Sequence, residues 1–140
     1  MRFDNFDDTY PKQAIVPTVI AANGTTTGSA IQISENGEHK GESLLFVVGG
    51  TTATAGTYTP NIQDSVDGTT WVDVDDKFLK GTEVGGAVTK DKLVSTIGYL
   101  GSKPYVRCNL VATSVVTGGT FYALALFQHR HKTDFTTQKY

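Results

Sequence analysis

The sequence predicts an all-β protein, an antiparallel β-sandwich or jelly-roll-like single domain with irregular arms at both ends. Apolar and polar residues alternate in about eight or nine short runs, which is the pattern of half-buried strands. Turn-forming pairs such as Asn23-Gly24 and Asn36-Gly37 separate these runs. The composition is rich in Gly, Thr, Ser and Val, which favours strands over helices. A length of 140 residues suits one domain of this kind.

The chain divides into three predicted parts. Residues 1–12 form an N-terminal arm, which ends at the Tyr10-Pro11 step because proline pushes the preceding backbone out of helical space. Residues 13–128 form the β-sandwich domain, and residues 129–140 form a C-terminal tail.

Three strands are predicted in the first half of the domain. The run Gln13–Ala22 contains Pro17, which removes one ladder hydrogen bond, so we place this strand at a sheet edge. The run Ser29–Ser34 alternates, with its two isoleucines facing inward. The run Ser43–Val48 is continuously apolar, which predicts a central strand covered on both faces.

The sequence YTPNIQDSVDGTTWVDVDD predicts a β-hairpin. A strand over Tyr58–Gln63 leads into a turn over Asp64–Thr69, in which Asp67-Gly68 tolerates the positive φ of a hairpin turn. The second strand covers Thr70–Val74, and we expect Trp71 to contribute to the core.

The second half of the domain continues with strands and one longer loop. The pair Phe78-Leu79 is interpreted as a short strand or an anchor, and Gly81–Asp91 as an exposed loop. Strands are predicted over Leu93–Leu100, over Pro104–Ala112, where the alternation is strong, and over Thr120–Gln128.

Composition argues against several classes of partner. A formal net charge of -2 gives no general attraction to nucleic acid or to an anionic membrane. No apolar run approaches the ~20 residues that a membrane-spanning helix needs. The N-terminus has no hydrophobic segment of a secretory signal, so we expect synthesis in a cytoplasm. Cys108 is the only cysteine, which excludes an internal disulfide and predicts a small core residue.

Signatures of catalysis are absent from the sequence: it has no glycine-rich phosphate loop, no HExxH pair and no nucleophile elbow. We therefore predict a protein that is not an enzyme and that uses no cofactor. The pair His129 and His131 is a weak metal signal without an evident third ligand. An acidic set could hold calcium, but turn formation and edge protection explain it more simply; its members are Asp64, Asp67, Asp73, Asp75 and Asp76.

Three pieces of sequence resemble a family of tailed-bacteriophage capsid decoration proteins, also called cement or head-stabilising proteins. The first piece is SLLFVVGG with the following AGTYTPNIQDSVDGTTWVDVDD. The second is GYLGSKPYVRCNL, in which Gly98, Tyr99, Gly101 and Tyr105-Val106-Arg107 match the family pattern, and the third is GGTFYALALFQHRH. The resemblance implies a structural protein on the outer surface of a phage capsid, which binds the major capsid protein and forms dimers or trimers.

The two ends of the chain differ in charge, and both are candidates for partner binding. The candidate residues are Phe3, Asp4, Phe6, Asp7, Asp8 and Tyr10 in the N-terminal arm, and His129, Arg130, His131 and Lys132 in the C-terminal tail. Aromatic anchors flanked by charge suit a segment that becomes ordered on a partner. We expect these arms to clasp neighbouring subunits or the capsid surface. The alternative is that the termini are disordered and have no role.

A second function from a different class is a glycan- or receptor-binding module of a phage fibre or tail. This function predicts an exposed aromatic platform, formed by Trp71 or Tyr99. A small hydrolase has no residue set to support it.

Overall fold

The computed structural model describes residues 9–33, 43–51 and 55–128. These residues form ten strands: β1 (Thr9–Ile20), β2 (Gly24–Thr26), β3 (Ile31–Gln32), β4 (Ser43–Gly50), β5 (Thr57–Ser65), β6 (Val72–Asp73), β7 (Leu79–Lys80), β8 (Val94–Tyr99), β9 (Tyr105–Thr113) and β10 (Gly119–Gln128). A single 3₁₀ turn, Asp76–Phe78, is the only helical element in the part of the chain that the structure describes.

The strands form two antiparallel sheets that pack face to face. Sheet A has the order β1-β10-β4-β8-β7, and sheet B has the order β2-β9-β5-β6, with β3 also paired to β9. The pairs β1 with β10, β2 with β9, β4 with β8 and β5 with β6 nest inside one another like one long hairpin. A long hairpin rolled across two sheets is the arrangement of a jelly roll. The predicted fold class is therefore confirmed.

The core lies between the two sheets and is built from alternate residues of each strand. On sheet A, Phe46 of β4 and Phe121 of β10 are fully buried, and on sheet B, Ile62 of β5 and Leu110 of β9 are fully buried. The ring of Tyr58 stacks on Phe121 across the interface, with 3.8 Å between ring centroids. Large apolar side chains from both sheets thus interdigitate, as in face-to-face sheet packing.

The first strand is longer than predicted. Strand β1 begins at Thr9, so residues 9–12 belong to sheet A and not to an irregular arm. The prediction of an edge position is correct, because β1 pairs with β10 alone among the described strands. The register shifts between Ile15 and Thr18, on either side of Pro17, so the strand absorbs the missing donor at a bulge.

Strand β4 is central, as predicted, but the prediction that both of its faces are covered is wrong. Leu44, Phe46 and Val48 are buried against the core, whereas Leu45 and Val47 are only half-buried. The continuous apolar run therefore has one set of side chains in the core and a second set on the outer surface of sheet A.

The segment 81–91 is also more ordered than an exposed loop. Val88 is fully buried and forms a bridge with Tyr58, its N–H donating to the Tyr58 carbonyl at 2.8 Å. The Glu83 carboxylate accepts the N–H of Ile62 at 2.7 Å. These hydrogen bonds hold the segment against β5. The prediction of an exposed loop is therefore wrong for this part of the segment, because the small and polar residues around Val88 do not indicate a buried position.

Candidate functional site

The described chain ends lie side by side in sheet A. Thr9, at the start of β1, pairs with Gln128, at the end of β10, and Gln128 pairs with Ser43 on the other side. The two predicted arms are therefore attached to neighbouring strands at one corner of the sandwich. The structure brings their points of attachment together, which the sequence alone did not indicate.

Most of the predicted partner-binding residues lie outside the described residues: Phe3, Asp4, Phe6, Asp7, Asp8, His129, Arg130, His131 and Lys132. Tyr10 lies within β1, where it pairs with Phe127 of β10. The proposal that these residues bind a partner remains a prediction.

The outer surface of sheet A carries a patch that we call the apolar face. It consists of Leu45 and Val47 on β4 and of Tyr122, Leu124 and Leu126 on β10, all half-buried. The register places Leu124 beside Val47 and Leu126 beside Leu45. Neither strand contains a charged residue between its first and last positions. The apolar face is thus continuous across the two central strands.

Two glycines shape this face. The ring of Tyr122 lies over Gly49: a Cβ atom added to Gly49 would be 2.5 Å from the tyrosine oxygen. On the next strand, Gly98 lies under Lys80, whose Cβ is 3.0 Å from the position of a Gly98 Cβ. The absence of side chains at both glycines lets larger neighbours lie flat, which keeps the face shallow and closely packed.

The edges of both sheets are protected from strand addition. In sheet A, β1 carries Pro11 and Pro17, and β7 has only two residues. In sheet B, the edge strands β2 and β6 have three and two residues. Prolines and very short edge strands prevent pairing with another chain. A partner would therefore meet the broad face of a sheet more easily than its edge.

The outer surface of sheet B is polar and internally bonded; we call it the amide network. It consists of Asn61, Gln63, Asp73, Arg107 and Asn109. Gln63 donates to Asp73 at 2.8 Å, and its oxygen accepts from Arg107 Nε at 2.9 Å and from Asn109 at 3.0 Å. The Asn109 oxygen accepts the buried N–H of Gly28 at 3.0 Å. These bonds join β5, β6 and β9 across the sheet.

Trp71 lies on the outer surface of sheet B, so the prediction that it contributes to the core is wrong. Its side chain is half-buried, and the guanidinium carbon of Arg107 lies 4.4 Å from its ring centroid. This distance is typical of a cation–π contact. The indole thus supports the arginine that the amide network also holds.

Tyr99, the other predicted platform, is buried inside the sandwich and is 5% exposed. Its hydroxyl donates to Asp64 at 2.9 Å and accepts the N–H of Lys103 at 3.3 Å. The Lys103 ammonium is 2.9 Å from the other oxygen of Asp64. Burial raises the pKa of Tyr99, and the hydrogen bond and negative charge of Asp64 raise it further. This cluster connects sheet A to sheet B and leaves no aromatic surface at Tyr99 for a ligand.

The hairpin loop between β5 and β6 is held by Asp67. Its carboxylate accepts the N–H groups of Thr69 and Thr70, each at 2.8 Å, and the hydroxyl of Ser65 at 2.9 Å. These hydrogen bonds hold the pKa of Asp67 far below its ordinary value. Gly68 has a φ of 79°, as the predicted Asp67-Gly68 turn requires. The loop borders an open cleft of about 300 Å³ beside Lys103.

The acidic set considered for calcium is spread over separate structural roles. Asp64 pairs with Lys103, Asp67 holds the hairpin loop, Asp73 belongs to the amide network, and Asp75 accepts the N–H of Lys77 at the 3₁₀ turn. Within the described residues no group of three or more metal-ligating side chains is assembled.

Cys108 is fully buried on the inner side of β9, as predicted for a core residue. Burial, and to a smaller extent the negative charge of Glu83, raise the pKa of its thiol to about 12. Burial also raises the pKa of Glu83, with smaller contributions in the same direction from Asp73 and Asp76. Asp73 lies on β6 and Asp76 begins the following 3₁₀ turn.

Comparison with known proteins adds no relationship. No protein-family model matches the sequence, and no curated protein matches it significantly. In the parts of the chain that the structure covers, no helix has the length and hydrophobicity needed to cross a membrane.

Proposed function

We propose that this protein decorates and stabilises the outer surface of a phage capsid by binding the major capsid protein. The observation that carries the proposal is the apolar face of sheet A, where Leu45, Val47, Leu124 and Leu126 present uncharged side chains outward. A contiguous apolar patch on a small domain is a common mark of a surface that binds another protein. The sequence resemblance to capsid decoration proteins supplies the identity of the partner.

The size of the apolar face argues for weak contacts in many copies. Two strands about 4.8 Å apart, each followed over about five residues with a rise of about 3.3 Å per residue, give a face on the order of 150 Å². A stable two-protein interface needs roughly 800 Å² per partner. The apolar face alone therefore supports only modest affinity, and further contacts must contribute.

The two arms are suited to supply those contacts. They are attached at the corner where Thr9 and Gln128 pair, next to the end of the apolar face at Leu126. The N-terminal arm is acidic and aromatic, and the C-terminal tail is basic. We propose that they clasp the capsid protein or a neighbouring copy of this chain in a dimer or trimer.

Stabilisation follows from mass action and requires no catalysis. A protein that binds the assembled shell, but not its separated subunits, shifts the equilibrium towards the shell. Symmetry repeats each weak contact many times and raises the total avidity. The proposal places the protein on the outside of the virion after synthesis in the host cytoplasm.

The test is cosedimentation with empty capsids that lack this protein, followed by heating of the loaded capsids. Wild-type protein is expected to sediment with capsids and to raise their melting temperature. Leu124→Asp places a charge in the centre of the apolar face and is expected to weaken binding by about a hundredfold, since burying an unpaired carboxylate costs several kcal/mol. Val84→Asp is the matched control, because Val84 is 82% exposed in a segment away from this face and should tolerate the same change.

A deletion of residues 1–8 separates the arm from the apolar face, because it leaves β1 intact. We expect this deletion to weaken binding without abolishing it. The proposal fails if wild-type protein does not bind capsids or does not change their melting. Equal binding by Leu124→Asp and Val84→Asp would remove the apolar face from the mechanism.

A further inference from the structure

The outer surface of sheet B contains an arginine that is positioned on two sides and has unused donors. Arg107 is stacked on Trp71 at 4.4 Å, and its Nε donates to Gln63 at 2.9 Å. Within the described residues, its two terminal nitrogens donate no hydrogen bond and no carboxylate lies within 4 Å of them. A planar guanidinium whose terminal fork is free matches the geometry of a carboxylate or phosphate.

The surroundings of Arg107 provide hydrogen-bonding groups and aromatic rings. Asn61, Gln63 and Asn109 lie on the same surface, bonded to one another and to Asp73. Tyr105 precedes Arg107 by two positions on β9 and so lies on the same side of the sheet. Fixed amides beside aromatic rings can recognise a ligand with many hydroxyl groups, since their orientation requires no rearrangement on binding.

We propose that this surface binds a saccharide that carries a carboxylate, with Arg107 as the ligand of the carboxylate. The free fork of Arg107 receives the acid group, and the more exposed members of the amide network, Asn61, Gln63 and Asp73, receive hydroxyl groups. Trp71 and Tyr105 provide apolar contact to the sugar ring.

The charge distribution favours an acidic sugar over a polyanion. Asp73 lies in the network itself. Asp73 and Asp76 are both close enough to Glu83 for their negative charges to raise its pKa. A nucleic acid or a strongly acidic peptide would bring several negative charges against these carboxylates. A saccharide with isolated carboxylates places one charge at Arg107 and offers hydroxyl donors to Asp73.

The test uses the only tryptophan in the chain, because the fluorescence of Trp71 reports directly on this surface. The probes are trigalacturonic acid and its methyl ester, which differ only in the charged carboxylates, and 3′-sialyllactose with lactose, which differ by the acidic sugar. We expect a saturable change of fluorescence with at least one acidic probe at micromolar to millimolar concentration. Its uncharged counterpart should bind at least about tenfold more weakly.

Substitutions assign the effect to the arginine. Arg107→Gln should weaken binding by about tenfold or more, and Arg107→Lys, which keeps the charge but loses the fork, should weaken it less. Lys90→Gln removes one positive charge from an exposed turn and should leave binding unchanged. Unchanged thermal unfolding of each variant would show that the fold is retained.

Several outcomes would overturn the proposal. These are the absence of saturable binding by both acidic probes, equal binding of charged and uncharged probes, and equal affinities of Arg107→Gln and Lys90→Gln. Equally tight binding of hexaglutamate would indicate a general anion site and not a saccharide site. Because this assay uses the isolated protein and the sheet opposite the apolar face, its result is independent of capsid binding.

Discussion

The two outer surfaces of this sandwich have the same backbone architecture and opposite chemistry. On sheet A, alternate residues of β4 and β10 present Leu45, Val47 and Leu124. On sheet B, alternate residues of β5 and β9 present Gln63 and Arg107, whose side chains bond to each other. Apart from the terminal fork of Arg107, the amide network of sheet B finds its hydrogen-bond partners within the chain, whereas the apolar groups on sheet A gain most from contact with a second protein. The difference assigns a larger share of fold stability to the outer surface of sheet B and association with another protein to the outer surface of sheet A.

The largest effect should separate the two sides of β4. Phe46 faces the core and is fully buried, and its neighbour Val47 belongs to the apolar face. Phe46→Ala should lower the free energy of unfolding by about 3–5 kcal/mol because it leaves a cavity. Val47→Ala should lower it by only about 1 kcal/mol, because the half-buried Val47 side chain buries less apolar area on folding than Phe46 does. Urea unfolding followed by fluorescence measures both values.

Similar costs for the two substitutions would contradict this comparison. Such a result would mean that the apolar face is already covered in the free protein. Repeating the Val47→Ala measurement over a range of protein concentrations would then show whether a second copy provides the cover, since only association makes the apparent stability depend on concentration.

The next effect concerns sheet B, where Asn109 holds the amide network and the Gly28 N–H. Asn109→Ala should lower the free energy of unfolding by about 1–3 kcal/mol, because it leaves a buried N–H without an acceptor. Thr59→Ala on the same surface should change stability by less than about 0.5 kcal/mol. Urea unfolding gives both values, and cosedimentation with capsids should be the same for both variants.

The capsid-binding measurement on Asn109→Ala can also contradict the comparison between the two sheets. If Asn109→Ala destroyed capsid binding while the folded population remained high, sheet B would take part in attachment. The separation of stability and association between the two sheets would then be wrong.

Much of the fold could be predicted because alternation in strands has a simple physical origin. In β9, the alternation predicted over Pro104–Ala112 is confirmed, because Val106, Cys108 and Leu110 share one face of the strand and are all buried in the core. The run SLLFVV correctly predicts a strand, but the prediction that both faces of this strand are covered is wrong. Sequence alone does not distinguish an outward apolar residue that another layer covers from one that remains at the surface. For this reason the sequence did not predict the apolar face.

The polar site was harder to predict because it depends on contacts between distant segments. Gln63 and Arg107 are 44 positions apart and meet only because β5 and β9 pair in one register. The hydrophobicity of Trp71 predicts a core position, but its ring instead contacts the Arg107 guanidinium on the outer surface of sheet B. The buried position of Tyr99 depends likewise on Asp64 and Lys103, which no local pattern connects to it.

The smallest effect tests the hairpin loop that borders sheet B. Backbone and side-chain hydrogen bonds lower the pKa of Asp67 from its ordinary value near 3.8, so its ionised form favours folding above that pH. Asp67→Asn should therefore lower the melting temperature slightly at neutral pH. As the pH falls below 3.8, wild-type protein loses the same contribution, and the two melting curves should converge.

The control for this titration is Asp91→Asn, which removes a carboxylate from an exposed turn. Its melting temperature should follow that of the wild type at every pH, because no hydrogen bond to its carboxylate is formed among the described residues. A constant difference between Asp67→Asn and wild type from neutral pH to acid would show that the charge of Asp67 does not stabilise the loop. The stability of the hairpin beside Trp71 would then not depend on the ionisation of Asp67.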